Sequence, residues 1–229
     1  VEVLIPAHRL VLALLGGEVV EVRGATSQGT FAAYRGVPEA VHGMIAWPNT
    51  VLLTGPEAIV IDPGYQTQGD MLVGALAARD LSPDDVATVL MTHLHSDHIS
   101  AAPQVGQCDL FVHEDELAAD YAIRQRGLLD GVSVQKLSGA AGQVRDGISW
   151  IHTPGHSPGH VAFAVDTAEG VVVVAGDTLG PKPEWFATMD LPGGFPERDA
   201  HLAAFRAIRD LDPVVVIPGH YAPVDGAAR

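Results

Sequence analysis

The segment Thr92-His93-Leu94-His95-Ser96-Asp97-His98 places three imidazoles and one carboxylate within six consecutive positions. Imidazole nitrogens and carboxylate oxygens are the donors that Zn(II) and similar divalent ions prefer. On an extended strand end, His93, His95 and Asp97 would alternate with Leu94 and Ser96 and all point one way. A turn directly after would bring His98 round beside Asp97. The chain has 11 His in 229 residues, so four ligand-type side chains in so short a stretch fit chance poorly. The chemistry implied is metal binding.

Three further clusters follow apolar runs. In Thr153-Pro154-Gly155-His156-Ser157-Pro158-Gly159-His160 the Pro and Gly residues frame His156 in a rigid turn. Gly176-Asp177-Thr178 comes directly after Val171 to Ala175, and Pro218-Gly219-His220 directly after Val214 to Ile217. Strand ends expose side chains to a shared cleft. Each cluster alone is an ordinary turn, but together with the first motif they form a pattern. His160 could join His156 as a ligand only on a helix, which Pro158-Gly159 argues against. It is expected to stand behind the ligands instead. Asp62, at the end of a strand, is expected either to fix a ligand imidazole through the ring's other N–H or simply to cap a turn. His113 reads as structural or rim, and His8, His42, His152 and His201 as surface or core histidines.

These residues need strands to position them, and the chain supplies apolar runs bounded by Gly, Pro and Asp. Strands are expected at Glu18 to Arg23, Thr50 to Leu53, Ala58 to Ile61 and Val86 to Met91. More follow at Cys108 to Val112, Val132 to Leu137, Gly147 to Thr153, Val161 to Val165, Val171 to Ala175 and Val214 to Ile217. Helical spacing predicts helices over Gly69 to Arg79, Glu114 to Gln125 and Pro196 to Leu211. Gly24 to Pro48 reads as a loop carrying Phe31, Tyr34, His42 and Trp47, of a length often used for lids. Strand-rich halves with helices favour two sheets packed face to face with helices outside, an α+β, four-layer αββα sandwich in one domain over residues 1–229.

Composition is that of a globular enzyme, 47% apolar and 18% charged, with a net charge of −15. So acidic a chain lacks the cationic footprint of nucleic-acid binding. The single cysteine, Cys108, excludes an intramolecular disulfide and a multi-Cys zinc site, and reads as a small buried hydrophobe. No apolar run reaches the roughly 20 residues that span a bilayer. The first sixteen residues lack a basic segment and a cleavage signal. The expectation is a cytoplasmic protein with a small-molecule substrate and no membrane partner.

The series THLHSDH, TPGHSPGH, GDT and PGH resembles the signature of the metallo-β-lactamase superfamily, over most of the chain from about Thr50 onward. The resemblance implies two mixed sheets in an αββα sandwich with metals at their edge. It implies that His93, His95 and His156 hold one ion, that Asp97, His98 and His220 hold a second, and that Asp177 bridges them. Two Zn2+ per chain are expected, with Fe or Mn possible in either place. Such a pair, roughly 3.5–4 Å apart, acidifies the water between it, and the bridging hydroxide is the expected nucleophile. Asp97 would orient that nucleophile and relay its proton.

Members of the family cleave β-lactams, lactones, thioesters, phosphodiesters and sulfate esters, and one branch is an iron dioxygenase. Asp177 stands where β-lactamases carry Cys, which disfavours antibiotic hydrolysis. Only nine residues follow His220, too few for the helical domain of glyoxalase II-like thioesterases. Acyl-homoserine-lactone hydrolases match the ligand pattern better, although their Tyr after the bridging Asp is missing from Asp177-Thr178-Leu179-Gly180. Tyr221 could replace it. The expected activity is hydrolysis of a small carboxylic ester, lactone or thioester. The alternatives are a phosphodiesterase or ribonuclease, a β-lactam hydrolase, a mononuclear-iron oxygenase and a non-catalytic metal-binding protein. Lys182, Trp185 and Phe186 after the bridging Asp, with Tyr34 and Trp47, could wall the substrate or only pack the loops.

Overall fold

Strands buried on both faces read as unbroken apolar runs, and the central strands of this chain do. The computed structural model describes residues 1–5, 8–15, 18–21, 41–130, 132–179 and 184–226, with side chains at 1–5 and, residue 67 excepted, from Trp47 onward. In chain order its strands are β1 (Glu2–Ile5), β2 (His8–Leu15), β3 (Glu18–Glu21), β4 (Val41–Trp47), β5 (Thr50–Leu53), β6 (Ala58–Ile61), β7 (Val86–Leu90) and β8 (Asp109–His113). They continue with β9 (Ser133–Leu137), β10 (Ala141–Arg145), β11 (Ile148–His152), β12 (Val161–Thr167), β13 (Gly170–Gly176), β14 (Val215–Pro218) and β15 (Val224–Asp225). Between them run helices α1 (Gly69–Ala77), α2 (Ser96–Ile99), α3 (Glu114–Leu117), α4 (Asp120–Gln125), α5 (Glu184–Thr188) and α6 (Arg198–Arg209).

Two six-stranded sheets form, in the orders β1-β5-β6-β7-β8-β9 and β10-β11-β12-β13-β14-β15, beside a three-stranded sheet β3-β2-β4. Strands β6 to β9 pair in parallel while β1, β5 and β6 are antiparallel, and β13-β14 is the parallel pair of the second sheet. Both large sheets are therefore mixed.

The two-residue period assigns each side chain to a layer. Val51, Leu53, Ile59, Ile61 and Leu90 of the first sheet meet Trp150, Val161, Phe163, Val165, Val174 and Ile217 of the second in a central core. The intervening Leu52, Val60 and Val89 face outward onto Leu72 and Leu76 of α1. Ala162, Ala164, Val173, Ala175 and Val216 face outward from the second sheet onto Leu202, Phe205 and Ile208 of α6. The layer order is helix, sheet, sheet, helix, as the sequence suggested. Phe163 is 0% exposed at the centre, so its truncation to Ala would cost about 3–5 kcal/mol.

Two sequence expectations change, and several strands, β10 among them, were not expected. Val41–Trp47 is a strand rather than loop, because β2 offers it a seven-residue antiparallel ladder. The expected helix over Glu114 to Gln125 breaks at Ala119, which is extended (φ −69°, ψ 144°). The edge strand β10, with its mostly exposed Ala, Gly and Gln, carries no apolar pattern to reveal it. Cys108 is partly buried against the outer core of the first sheet. No helix among the described residues is long and apolar enough to cross a membrane.

Candidate metal centre

Strand β7 stops at Leu90, and its last ladder bond runs from Met91 N–H to Phe111 O at 2.9 Å. The residues beyond do not continue as a strand end. His95 is extended (φ −65°, ψ 148°) and caps the single turn α2, in which His98 N–H and Ile99 N–H both donate to His95 O. This turn divides the donors. His93 and His95 stay on the loop, while Asp97 and His98 are carried onto the helical turn.

Donor atoms converge in three overlapping groups: His93, His95 and His156; His93, His98 and Asp177; and Asp97, His98 and His220, each within 4.8 Å. His95 Nδ1 and His156 Nε2 approach to 2.9 Å across the two loops. Asp177 Oδ2 lies 3.3 Å from His156 Nε2 and 3.5 Å from His220 Nε2. Its Oδ1 lies 3.4 Å from His98 Nε2, without the alignment of a hydrogen bond. One carboxylate thus faces both sets of imidazoles, and Asp97 Oδ2 is 3.1 Å from His220 Nε2.

The hydrogen-bond network assigns the ring protons. Asp62, with φ 50° and 2% exposure, accepts Thr92 N–H on Oδ1 at 2.8 Å. Its Oδ2 accepts the Thr92 hydroxyl at 2.6 Å and His98 Nδ1–H at 2.8 Å. With its own proton given to Asp62, Thr92 Oγ1 accepts from His93 Nδ1 at 3.0 Å. Both rings therefore turn Nε2 inward. His93 Nε2, His98 Nε2 and Asp177 Oδ1 are buried with no hydrogen-bond partner. Each such atom costs about 1–3 kcal/mol if left alone, and divalent metal bound among them would satisfy all three. The residues fit a metal site.

His220 Nδ1 donates to Trp47 O at 3.3 Å, which again leaves Nε2 for the centre. His160, fully buried, stands behind Asp177: its Nε2 accepts Asp177 N–H at 3.1 Å while Nδ1 faces Thr153 Oγ1 at 2.9 Å. Gly219 is required by close approach, because a Cβ there would lie 1.9 Å from Asp177 Oδ1.

Burial holds His93 well below the usual imidazole range, with nearby His98 adding to the effect, and it lowers His95 and His156. These three are neutral donors. Burial opposes charge on His98 and His220 too, but Asp177 with Asp62 or Asp97 outweighs it. His98 is held well above its ordinary range and His220 is raised to about 9. Asp177 is kept well below the carboxylate range, against burial, by His220 and His98.

A fourth cluster, His113, Asp115 and His152, differs in kind. His113 Nδ1 accepts Asp115 N–H at 3.2 Å, Nε2 donates to Gly139 O at 3.0 Å, and its ring stacks flat on His152. No lone pair is left on His113, which caps α3.

Of the residues considered for substrate, Phe186 is 1% exposed and packs edge-on against Phe205 at 5.6 Å. It belongs to the core under α6, so the expectation of a substrate wall there is corrected. Trp185 is partly buried against Phe195 at 5.4 Å. Tyr221 is partly exposed and its carbonyl accepts from Asn49 Nδ2 at 2.7 Å. Tyr34 and Lys182 lie outside the described residues. Sequence reasoning missed Thr92, Asn49 and Glu116. Only Thr92, as the first residue of the histidine motif, carried any signal.

The family model described as the metallo-beta-lactamase superfamily matches residues 48–220. Metallo-beta-lactamase domain-containing protein 1 of Xenopus laevis is 28% identical over 176 residues, 76% of this chain and 71% of that protein. YqgX of Bacillus subtilis, by name a probable metallo-hydrolase, is 29% identical over 141 residues, 56% of this chain and 64% of its own length. Among solved structures, a quorum-quenching N-acyl homoserine lactone hydrolase superposes with a TM-score of 0.66 at 19% identity, covering 94% of this chain and 90% of that one. With the αββα layers, the converging imidazoles and a family match over most of its length, this chain belongs to the metallo-beta-lactamase superfamily of metal-dependent hydrolases.

Proposed function

We propose that this protein is a binuclear metal-dependent hydrolase acting on a small carboxylic ester, lactone or thioester. The observation that carries the binuclear reading is Asp177, whose carboxylate faces His156 on one side and His98 and His220 on the other. His93, His95 and His156 would hold one ion, Asp97, His98 and His220 the other, and Asp177 both, with Zn2+ expected and Fe or Mn as alternatives. Bound there, divalent metal supplies Lewis acidity, acidifying water and polarising a carbonyl oxygen.

The chain's own residues do the rest. Asp62 and Thr92 keep the ring protons of His93 and His98 on Nδ1. Asp97 has a side chain 29% exposed, against 12% for Asp177, so substrate can reach it. One Asp97 oxygen would join His220 on the ion, while the other would orient the attacking water, accept its proton and pass that proton to the leaving oxygen or sulfur as the bond to the carbonyl carbon breaks. The likeness to a lactone hydrolase supports the carbonyl substrate class, and the net charge of −15 weighs against nucleic acid.

Metal analysis of purified protein should give two ions per chain. Asp97→Ala should stay folded and be inactive on lactone and thioester panels that the wild type turns over. Equal turnover by both proteins sinks the assignment. Cleavage of bis-p-nitrophenyl phosphate without ester activity would replace the substrate class with phosphodiesters.

A further inference from the structure

Asp62 braces His98 and, through Thr92, His93. The relation of the His93–His95 loop to the His156 turn has a brace of its own, on an element that the chemistry above does not use. Glu116 in α3 is 0% exposed. Its Oε1 accepts Leu94 N–H at 2.9 Å and the Tyr121 hydroxyl. Its Oε2 accepts Ser157 Oγ–H at 2.8 Å and Gly159 N–H at 3.0 Å. Leu94 lies between His93 and His95, and Ser157 and Gly159 follow His156. One carboxylate therefore ties together the two backbone segments that carry all three imidazoles of the first group. Tyr121, held by the same oxygen, lays its ring 4.6 Å from that of His95.

A second observation fixes the same contact from the other side. A Cβ at Gly159 would lie 2.1 Å from Glu116 N and 2.7 Å from its Cα. Gly159 is not among the positive-φ glycines, so close approach and not backbone conformation is what requires it. A buried carboxylate is costly unless fully hydrogen-bonded, and an apolar side chain of similar size would fill this space without that cost. What the apolar side chain could not do is hold the Leu94 and Gly159 N–H groups to opposite oxygens of one rigid plane.

We propose that Glu116 is a positioning residue that sets the spacing of the His93–His95 loop and the His156 turn, and with it the metal affinity of that group. The inference rests on reading those imidazoles as metal donors.

The test is chelator competition with Zn(II), together with the visible spectrum of the Co(II)-loaded protein, for wild type and Glu116→Gln. The amide keeps the size but turns N–H donors toward N–H groups that already point at it. The variant should keep the far-UV circular dichroism of the wild type and bind one of two ions roughly ten- to a hundredfold more weakly. The other ion should be held as before, and the Co(II) spectrum should change for the weakened ion only. Ser157→Ala and Tyr121→Phe each remove a single donor, should weaken the same ion to a smaller degree, and stand in if Glu116→Gln does not fold. Wild-type affinities and spectra in these variants, or equal weakening of both ions, overturn the positioning role. A wild type that binds no metal overturns the metal reading itself, and the inference with it.

Discussion

Replacing Asp62 by Asn exchanges one oxygen for an NH2 group and should mis-set two metal donors at once. Asp62 Oδ2 takes hydrogens from the Thr92 hydroxyl and from His98 Nδ1, at 2.6 and 2.8 Å. If the amide keeps its oxygen on Thr92 N–H, its NH2 group falls where Oδ2 was. The Thr92 hydroxyl must then accept, and its hydrogen can go only towards His93 Nδ1, 3.0 Å away. That drives the His93 proton onto Nε2, the atom facing the centre. His98 meets the same choice, either Nδ1–H against an amide N–H or a proton moved to Nε2. The metal-free protein can accept these tautomers, but the metal-loaded protein cannot. It must keep at least one buried donor unpaired, at about 1–3 kcal/mol, or roughly ten- to a hundredfold in affinity. Chelator competition on Asp62→Asn, with thermal denaturation of the metal-free protein alongside, reads both quantities. A binding curve that overlays the wild type would refute the assignment of ring protons on which the donor geometry depends.

Four further outcomes are expected. His220, raised to about 9 from 6.5, stabilises the metal-free fold fully below pH 6.5 and loses that contribution as pH rises through about 9. Asp177 and Asp97 are depressed, so their contribution holds above the ordinary carboxylate range and is lost in acid. At neutral pH metal must displace protons from His98 and His220, so calorimetric heats of binding should depend on the buffer's ionisation enthalpy; heats independent of buffer would count against this. Gly219→Ala drives a Cβ into Asp177 Oδ1 and should abolish tight binding of a second ion, which metal analysis after dialysis would detect. Phe186→Ala should cost about 3–5 kcal/mol of stability in denaturant titrations while leaving KM unchanged; a raised KM in a fully stable variant would restore it to the substrate wall.

What could be read from the sequence depended on where the cause of each feature lies. Thr50–Leu53 and Ala58–Ile61 have the expected bounds because strands buried on both faces and closed by Gly or Pro carry their own boundaries. Exposed β10 carries no apolar alternation to mark it, and the break between α3 and α4 falls at Ala119, against the helix preference of the Ala and Glu residues around it. The donors stood out because they cluster in sequence. The helical turn of α2 did not, because the alternation of His93, His95 and Asp97 suits a strand equally well. Glu116 follows Glu114 and Asp115 as one more acid at a helix start, a common surface pattern. It is buried by partners brought from elsewhere in the chain, the Leu94 loop and the Gly159 turn. Phe186 looked like part of a substrate wall because its neighbours are Pro, Lys and Trp, whereas α5 turns it inward.

The donors come from both sheets: the loop after β7 in one, and the ends of β11, β13 and β14 in the other. During synthesis His93, His95, Asp97 and His98 emerge first, while His156, Asp177 and His220 are still to come. No early fragment holds a complete set, so an ion met too soon finds at most a partial grip and can leave again. Once both sheets have docked, an ion held as proposed would span the seam between them, and separating the layers would mean releasing it. Metal in the medium should therefore slow unfolding more than it speeds folding, and the centre serves as a latch closed last.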